Sequence, residues 1–178
     1  MKPKIYAGIG SRETPDNVLD AMYSIGYSMA EQGWGLRSGH APGADTAFEN
    51  GCIAAGGLKE IFVPWKGFEG APGMHPAYSV PKFDDHLMAI AARFHPAWER
   101  CKDGARKLHA RNVCQLMGRD PRNPLMTSVV IGWTRGAKGE GGTGQAFRIA
   151  RHYNIPIFDL ADPAQWDHLA KFVENFNK

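Results

Sequence analysis

Short apolar runs alternate with longer helical segments along the whole chain. The runs are rich in β-branched and aromatic residues, which predicts strands at about 4–9, 34–38, 58–63, 127–133 and 155–159. Helical periodicity occurs at about 16–32, 45–56, 83–94, 97–117, 144–153 and 163–176. This alternation predicts an α/β fold, with a Rossmann-like three-layer arrangement in which a central, mostly parallel sheet of about five strands is flanked by helices.

At 178 residues the chain is most simply one Rossmann-like domain over 1–178. Its apolar runs are all much shorter than the ~20 residues that a membrane-spanning helix needs. The N-terminal apolar stretch is too short for a signal peptide, so we expect a cytoplasmic protein. The segment 64–81 is rich in Pro and Gly, and we expect it to be an ordered functional loop or a flexible lid.

The cysteines and histidines do not form a recognisable metal-binding pattern. Cys52, Cys101 and Cys114 are odd in number and form no C-x-x-C pair, which argues against a disulfide framework and a zinc knuckle. We expect these thiols to be buried as small apolar groups. The seven histidines include no H-E-x-x-H spacing. The sequence therefore predicts no metal ion and no resident cofactor.

Three glycine-containing loops follow predicted strands. Loop 1 (8–15) reads GIGSRETP, loop 2 (38–45) reads SGHAPGAD, and loop 3 (139–145) reads GEGGTGQ. In an open parallel sheet the carboxyl ends of all strands lie on one edge, where ligands bind. Glycine lets the backbone approach a ligand closely, and the N–H groups of a following helix favour an anion. We therefore expect the three loops to hold one phosphorylated ligand.

The standard nucleotide-binding fingerprints do not fit these loops. Gly8 and Gly10 begin a G-x-G-x-x-G pattern, but its last position is Glu13, which argues against a dinucleotide site. The segment 132–138 lacks the spacing of a P-loop, which excludes a P-loop nucleotide triphosphatase.

At these loops the chain resembles the SMF/DprA–LOG (SLOG) superfamily, which joins DNA-processing protein A to the LONELY GUY phosphoribohydrolases. SGHAPGAD (38–45) is similar to the S-G-x-A-x-G-x-D of the DNA-processing protein. LHARN (108–112) is similar to the R-N element of that protein and to M-H-x-R-K of the hydrolases. GGTGQ (141–145) is similar to G-G-x-G-T of the hydrolases.

The resemblance implies a nucleotide-binding protein, and a homodimer as in many relatives. In one branch, nucleoside monophosphates lose their base by cleavage of the N-glycosidic bond; in the other, the same edge binds single-stranded DNA. Position by position, Arg111 is expected to contact phosphate or ribose, and 141–145 to cradle phosphate. The hydrolase motif continues to a catalytic glutamate, where this chain has Arg148, and Gln145 replaces its threonine.

Other carboxylates could replace that glutamate. Asp45 and Glu49 are four residues apart in a predicted helix and share a face. With Arg111 they form the predicted catalytic set, because an oxocarbenium-like sugar needs a carboxylate nearby. Asp45 could instead cap the helix, and Glu49 could be a solvated or ion-paired helix residue. Glu13 and Glu140 are further candidates.

The predicted ligand-binding residues come from all three loops and the LHARN element. They are Gly10, Ser11, Arg12, Ser38, Gly39, His40, Gly43, Asp45, Arg111, Asn112, Gly141, Gly142, Thr143, Gly144 and Gln145. Arg12 and Arg37 flank the first two loops, and either could bind phosphate in a bidentate manner. Arg37 could instead be paired on the sheet.

Three functions agree with these patterns. The first is binding of a nucleotide or nucleotide-derived small molecule, with N-glycosidic hydrolysis as its chemistry. The second is a DNA-binding recombination mediator without catalysis, for which the segment 93–122 supplies eight basic residues against three acidic ones. The third is a sensor that binds a nucleotide signal and passes it to a partner.

Overall fold

The computed structural model describes residues 2–176 and 178, and a six-stranded sheet lies at its centre. The strands are β1 (Ile5–Gly8), β2 (Gly35–Ser38), β3 (Lys59–Phe62), β4 (Tyr78–Ser79), β5 (Val129–Gly132) and β6 (Ile157–Asp159). Their order is β4-β3-β2-β1-β5-β6, and every neighbouring pair is parallel. The predicted α/β fold is confirmed.

The strand that the sequence does not predict is β4. It is two residues long and lies inside the Pro- and Gly-rich segment 64–81, so no apolar run indicates it. It pairs with β3 so that Tyr78 lies beside Ile61. In the same segment, Phe68 is only 3 % exposed. Segment 64–81 is therefore packed as part of the sheet edge, which favours an ordered loop over a flexible lid.

Six helices surround the sheet close to the predicted positions. They are α1 (Asp16–Glu31), α2 (Ala44–Ala54), α3 (Asp85–Arg93), α4 (Asp103–Met117), α5 (Gly141–His152) and α6 (Ala164–Phe176). Two boundaries differ from the prediction. A separate 3-10 turn at Trp98–Arg100 precedes α4, because the backbone of Cys101 and Lys102 is extended. Gly141, Gly142 and Gly144 of loop 3 lie in the first turn of α5.

The helices cover both faces of the sheet and give three layers. Apolar side chains of α1, α2 and α6 bury one face, among them Met22, Phe48 and Leu169. Side chains of α3, α4 and α5 bury the other, among them Leu87, Val113 and Phe147. All four residues of β5 are buried, as expected for a parallel strand covered on both sides. No described helix is long and apolar enough to cross a membrane.

Glycines allow α1 and α2 to pack unusually closely. A Cβ at Gly51 would lie 2.0 Å from the carbonyl oxygen of Tyr23, and one at Gly26 would lie 2.4 Å from that of Phe48. Because both clashes are with backbone, no side-chain rotation can relieve them. The two helices would have to separate. Their close packing fixes the position of α2, which follows loop 2.

We expect Gly51→Ala to lower the free energy of unfolding by about 1–3 kcal/mol, because overpacking outweighs the helix propensity of alanine. Gly104→Ala is the matched control, since a Cβ at Gly104 meets only Trp65, at 3.8 Å. That variant should be unchanged or up to about 1 kcal/mol more stable. Urea denaturation of both variants measures the difference. Equal effects at the two positions would contradict this account of the α1–α2 contact.

Candidate functional site

A cavity of about 440 Å³ lies at the carboxyl edge of the sheet. Strands β2, β3 and β4 lie on one side of β1, and β5 and β6 lie on the other, so the strand order reverses between β1 and β5. Such a reversal opens a crevice where α/β proteins bind ligands. Gly10 of loop 1, Ala41 of loop 2 and Gly142 of loop 3 all line the cavity. The structure thus brings the three loops around one space.

Loops 1 and 2 can meet only because both contain glycine. A Cβ at Gly10 would lie 2.5 Å from the Cβ of Ala44, the first residue of α2. Gly43 has φ of +94°, which L side chains rarely adopt, and it lies against the backbone of Arg12. Gly43 itself does not line the cavity. It allows the turn that brings Ala41 and Asp45 to the cavity wall.

The first turn of α5 forms another part of the wall. Gly141, Gly142 and Thr143 line the cavity, and the side chain of the N-cap residue, Glu140, makes no capping hydrogen bond. The first N–H groups of a helix have no intrahelical acceptor, and the helix dipole favours an anion beside them. Gly144 is buried behind this turn, where a Cβ would lie 2.0 Å from the carbonyl oxygen of Gly139.

Arg111 on α4 is buried beneath the cavity, with 6 % of its surface exposed. Its Nη1 donates to the carbonyl oxygen of Gly39, and to that of Phe62 at 3.2 Å. The guanidinium also lies over the ring of Phe68, at 5.4 Å. Its Nε is buried without a hydrogen-bond partner. Arg111 therefore connects β2 and β3 to α4 through Nη1.

Asp45 is a buried carboxyl group in the cavity wall. It accepts a hydrogen bond from the backbone N–H of Ala41, at 3.2 Å. The N-cap of α2 is Gly43 and no side chain caps this helix, so the predicted capping role of Asp45 is wrong. Burial raises the pKa of Asp45 to about 6, although the cation of Arg111 opposes this effect.

Glu49 and His40 belong to a separate polar cluster that does not line the cavity. Glu49 is 2 % exposed. Its Oε2 lies 2.7 Å from Nδ1 of His40, and its Oε1 lies 3.2 Å from Nζ of Lys59 and accepts from the hydroxyl of Tyr78. The ion-paired interpretation of Glu49 is therefore confirmed, although the residue is buried. The geometry does not bring Glu49 together with Asp45 and Arg111 as a catalytic set.

Several other predicted ligand-binding residues support the cavity from behind. Ser38 donates its hydroxyl to the carbonyl oxygen of Gly8, at 2.6 Å. Gly39 packs against Arg111, where a Cβ would clash with Nη1 at 2.1 Å. Gln145 is fully buried and does not line the cavity. Ser11, Arg12 and Asn112, by contrast, line the cavity directly.

Two arginines singled out from the sequence do not line the cavity. Arg37 is buried on β2, and its Nε donates to Glu60 on β3 at 2.6 Å, so the alternative of pairing on the sheet is confirmed. Arg148, at the position of the hydrolase glutamate, donates from Nε to the carbonyl oxygen of Phe94 at 2.7 Å.

The sequence assigned no role to His109, which lines the cavity on α4. Burial, together with neighbouring His95, lowers the pKa of His109 to about 4, so the ring is neutral at physiological pH. The signal was present in the LHARN element, in which His109 precedes Arg111 by two residues. His109 also belongs to the one group of described residues whose ligand atoms are close enough to hold a metal ion, with His95 and Cys101.

The pKa of Asp45 predicts a pH dependence of stability. The native carboxyl keeps its proton up to about pH 6, whereas the unfolded one releases it near its ordinary pKa of 3.8. Between these values the native state binds more protons, so this group makes the free energy of unfolding fall as pH rises. The difference between the two pKa values corresponds to about 3 kcal/mol at most.

We expect Asp45→Asn to remove this contribution. The stability of the wild-type protein relative to the variant should decrease between pH 4 and pH 6 and stay constant above it. Urea denaturation of both proteins across this pH range measures the difference in their free energies of unfolding. The other titrating groups are the same in both proteins, so their contributions cancel in this difference. A difference in the free energy of unfolding that does not change with pH would contradict the raised pKa of buried Asp45.

Comparison with models of known protein families finds no match, and comparison with curated proteins finds none either. Solved structures, however, share the fold. The molybdenum cofactor (Moco) carrier protein of Chlamydomonas rheinhardtii is 18 % identical, with a TM-score of 0.53 over 97 % of this chain and 84 % of that one. The molybdenum cofactor binding protein of Rippkaea orientalis is 18 % identical, with a TM-score of 0.55 over 98 % and 86 %.

A third structure is a DNA-processing protein, the kind of protein named in the sequence resemblance. DNA processing protein A from Helicobacter pylori, described with its single-stranded DNA binding mode, is 16 % identical, with a TM-score of 0.57 over 99 % of this chain and 79 % of that one. Identities this low establish the fold alone. The chain therefore has the Rossmann-like fold to which the resemblance to the SMF/DprA–LOG superfamily pointed.

Proposed function

We propose that the cavity binds a nucleotide or nucleotide-derived phosphorylated small molecule. The observation that carries the proposal is the convergence of three separate loops on one cavity with unused N–H donors at its wall. At about 440 Å³ the cavity is within the usual size range of small-molecule sites. The molybdenum cofactor named for two of the compared structures is a small molecule, which agrees with this size.

The phosphate would lie against the first turn of α5. Gly141, Gly142 and Thr143 supply backbone N–H groups there, and a helix N-terminus favours an anion. Buried Arg111 lies at the cavity on α4 and contributes the positive charge of its guanidinium. Arg12 on loop 1 adds a guanidinium at the cavity rim, where its ion pair with Glu69 at 3.5 Å is exposed and easily exchanged.

Gly142→Asp tests this position. An aspartate in the first turn of a helix is favourable to the helix but repels a phosphate. A Cβ here meets only Cε1 of His109, at 3.9 Å, so the variant should fold. We expect the affinity for a nucleoside monophosphate to fall at least tenfold, or about 1.4 kcal/mol, with little change in thermal stability of the unliganded protein.

Gly142→Asn is the matched control, because it has the same shape without the charge, and it should bind more tightly than Gly142→Asp. Isothermal titration calorimetry with a panel of nucleoside monophosphates and the molybdenum cofactor measures both variants. Arg111→Ala is a less informative variant, because it also removes the hydrogen bonds to Gly39 and Phe62. If wild-type protein binds a member of the panel and Gly142→Asp binds it equally, the phosphate lies elsewhere.

Hydrolysis of an N-glycosidic bond is a second candidate, and Asp45 is the observation that favours it. This reaction needs a carboxylate close to the sugar. Among the predicted carboxylates, Asp45 and Glu140 line the cavity, whereas Glu49 does not. Asp45 also has a pKa of about 6, which suits a group that exchanges protons near neutral pH.

If the site is hydrolytic, wild-type protein should release free base from a bound nucleoside monophosphate, and Asp45→Asn should reduce the rate at least 100-fold, in the range of ~10²–10⁴ that a positioned acid or base contributes. Chromatographic separation of base and nucleotide measures the release. Recovery of intact nucleotide from wild-type protein would exclude hydrolysis and leave the binding proposal unchanged.

The surface offers less support for DNA binding than the sequence suggested. Within segment 93–122, acidic side chains pair with four of the eight basic residues, namely Arg106, Lys107, Arg119 and Arg122. Arg111 is buried. Titration with oligo-dT at two salt concentrations separates the functions, because binding to a phosphate backbone weakens steeply with salt.

A further inference from the structure

Three side chains of metal-ligand type meet in the connection between α3 and α4. His95 follows α3, Cys101 precedes α4 and His109 lies on α4, and their ligand atoms all lie within 4.8 Å of one another. Sγ of Cys101 is 3.9 Å from Nδ1 of His95, and the two imidazole rings are 4.2 Å apart. Nitrogen and sulfur ligands of a tetrahedral Zn²⁺ ion lie about 3.6 Å apart, so the spacing fits a single ion.

The tautomer of His109 is set by Gln145. Nε2 of Gln145 donates to the carbonyl oxygen of Ala91 at 2.9 Å, and its Oε1 accepts from Asn112 at 3.1 Å. His109 is hydrogen-bonded to the same Gln145 side chain, while its Nδ1 is buried without a partner. The bond to Gln145 is therefore made by Nε2–H, and Nδ1 carries an unused lone pair.

This arrangement is typical of a histidine that binds metal. A ligating imidazole usually donates its other N–H to an oxygen acceptor, which fixes the ring and its tautomer. An unused buried lone pair is otherwise unfavourable, since buried polar groups normally find partners. In His109 the fixed N–H and the unused lone pair occur together, next to a thiol and a second imidazole.

We propose that His95, Cys101 and His109 bind one thiolate-preferring divalent metal ion, of which Zn²⁺ is the type. The ligand atoms are Nδ1 of each histidine and Sγ of the cysteine. Binding forms a metal–sulfur bond and releases the thiol proton to solvent. It also replaces the hydrogen bond that the N–H of Ala97 donates to Nδ1 of His95, at 3.1 Å.

The site has three protein ligands and leaves one coordination position for water or a ligand, the pattern of zinc sites with an exchangeable position. His109 lines the cavity, whereas His95 and Cys101 do not, so the ion would lie next to the cavity on the side of His95 and Cys101. The proposal does not depend on a nucleotide binding there. The spacing H-x5-C-x7-H matches no standard zinc pattern, which is why the sequence predicted no metal.

Neighbouring charges restrict which ions can bind. The guanidinium of Arg148 lies near both histidines, and that of Arg111 lies near His109. These cations oppose a metal ion, and the thiolate of Cys101 offsets one charge. Mg²⁺ and Ca²⁺ prefer oxygen ligands and would gain little from this set. We therefore expect binding of Zn²⁺ and Co²⁺ and no measurable binding of Mg²⁺.

Co²⁺ provides a direct spectroscopic test on the full chain after treatment with a chelator. We expect a thiolate-to-cobalt charge-transfer band that saturates at one equivalent and disappears when Zn²⁺ is added. Cys101→Ser and His109→Gln should each lose the band or weaken Co²⁺ binding at least tenfold. Cys114→Ala, which removes a thiol from the core, should retain it.

Absence of the band in the wild-type protein would overturn the proposal, and so would its persistence in Cys101→Ser. A band that is unchanged in His109→Gln would also overturn the three-ligand site. Circular dichroism tests whether each variant is folded. If a variant is unfolded, the Co²⁺ titration of the wild-type protein alone decides whether the metal site exists. A nucleotide titration of the metal-free protein separates this result from the proposed ligand binding.

Discussion

The buried guanidinium of Arg111 is the interaction on which the site depends. Gly39 follows β2 and Phe62 is the last residue of β3, so their carbonyl groups lie where the hydrogen bonds between the strands end. Arg111 donates to both. A buried carbonyl without a partner is unfavourable, and a charged donor is a strong partner. One side chain from α4 thus fixes the ends of β2 and β3, and loop 2 with them. The shape of the cavity follows from this attachment.

The charge of Arg111 also determines what else can be buried nearby. Asp45 is buried in the same wall, and its carboxylate would be far less favourable there without a neighbouring cation. The N-terminus of α5, in another part of the cavity wall, contributes partial positive charge. The wall therefore combines the carboxyl groups of Asp45 and Glu140 and several backbone donors with the buried guanidinium of Arg111.

The sequence predicted the fold well because the apolar runs and the glycine loops are both local patterns. Apolar runs such as 127–133 indicated buried strands, and glycine loops after them indicated the edge where a ligand binds. β4 was missed because two residues carry no periodicity, and its pairing depends on contacts with β3. The start of α5 was misplaced because Gly141 and Gly142 are poor helix formers that tertiary packing places in the first turn.

Side-chain direction was harder to predict than position. Asp45 and Glu49 share a helix face in the sequence pattern, yet Asp45 lines the cavity and Glu49 pairs with Lys59 and Tyr78. The partners that decide between these directions come from β3 and β4, which are distant in sequence. The same is true of His109, whose neighbours His95 and Gln145 lie on a loop and on α5. Local patterns cannot show which of several polar partners a buried group will choose.

Glu49 links parts of the molecule that are distant from one another in sequence. Its partners come from loop 2, β3 and β4, and one of them, His40, is held with a φ of +58°. A histidine in this left-handed conformation is under backbone strain and relaxes once its partner is lost. Detachment of the short edge strand β4 would therefore release loop 2 as well. We therefore expect β4 and loop 2 to open as one cooperative unit in amide hydrogen exchange, with similar protection factors.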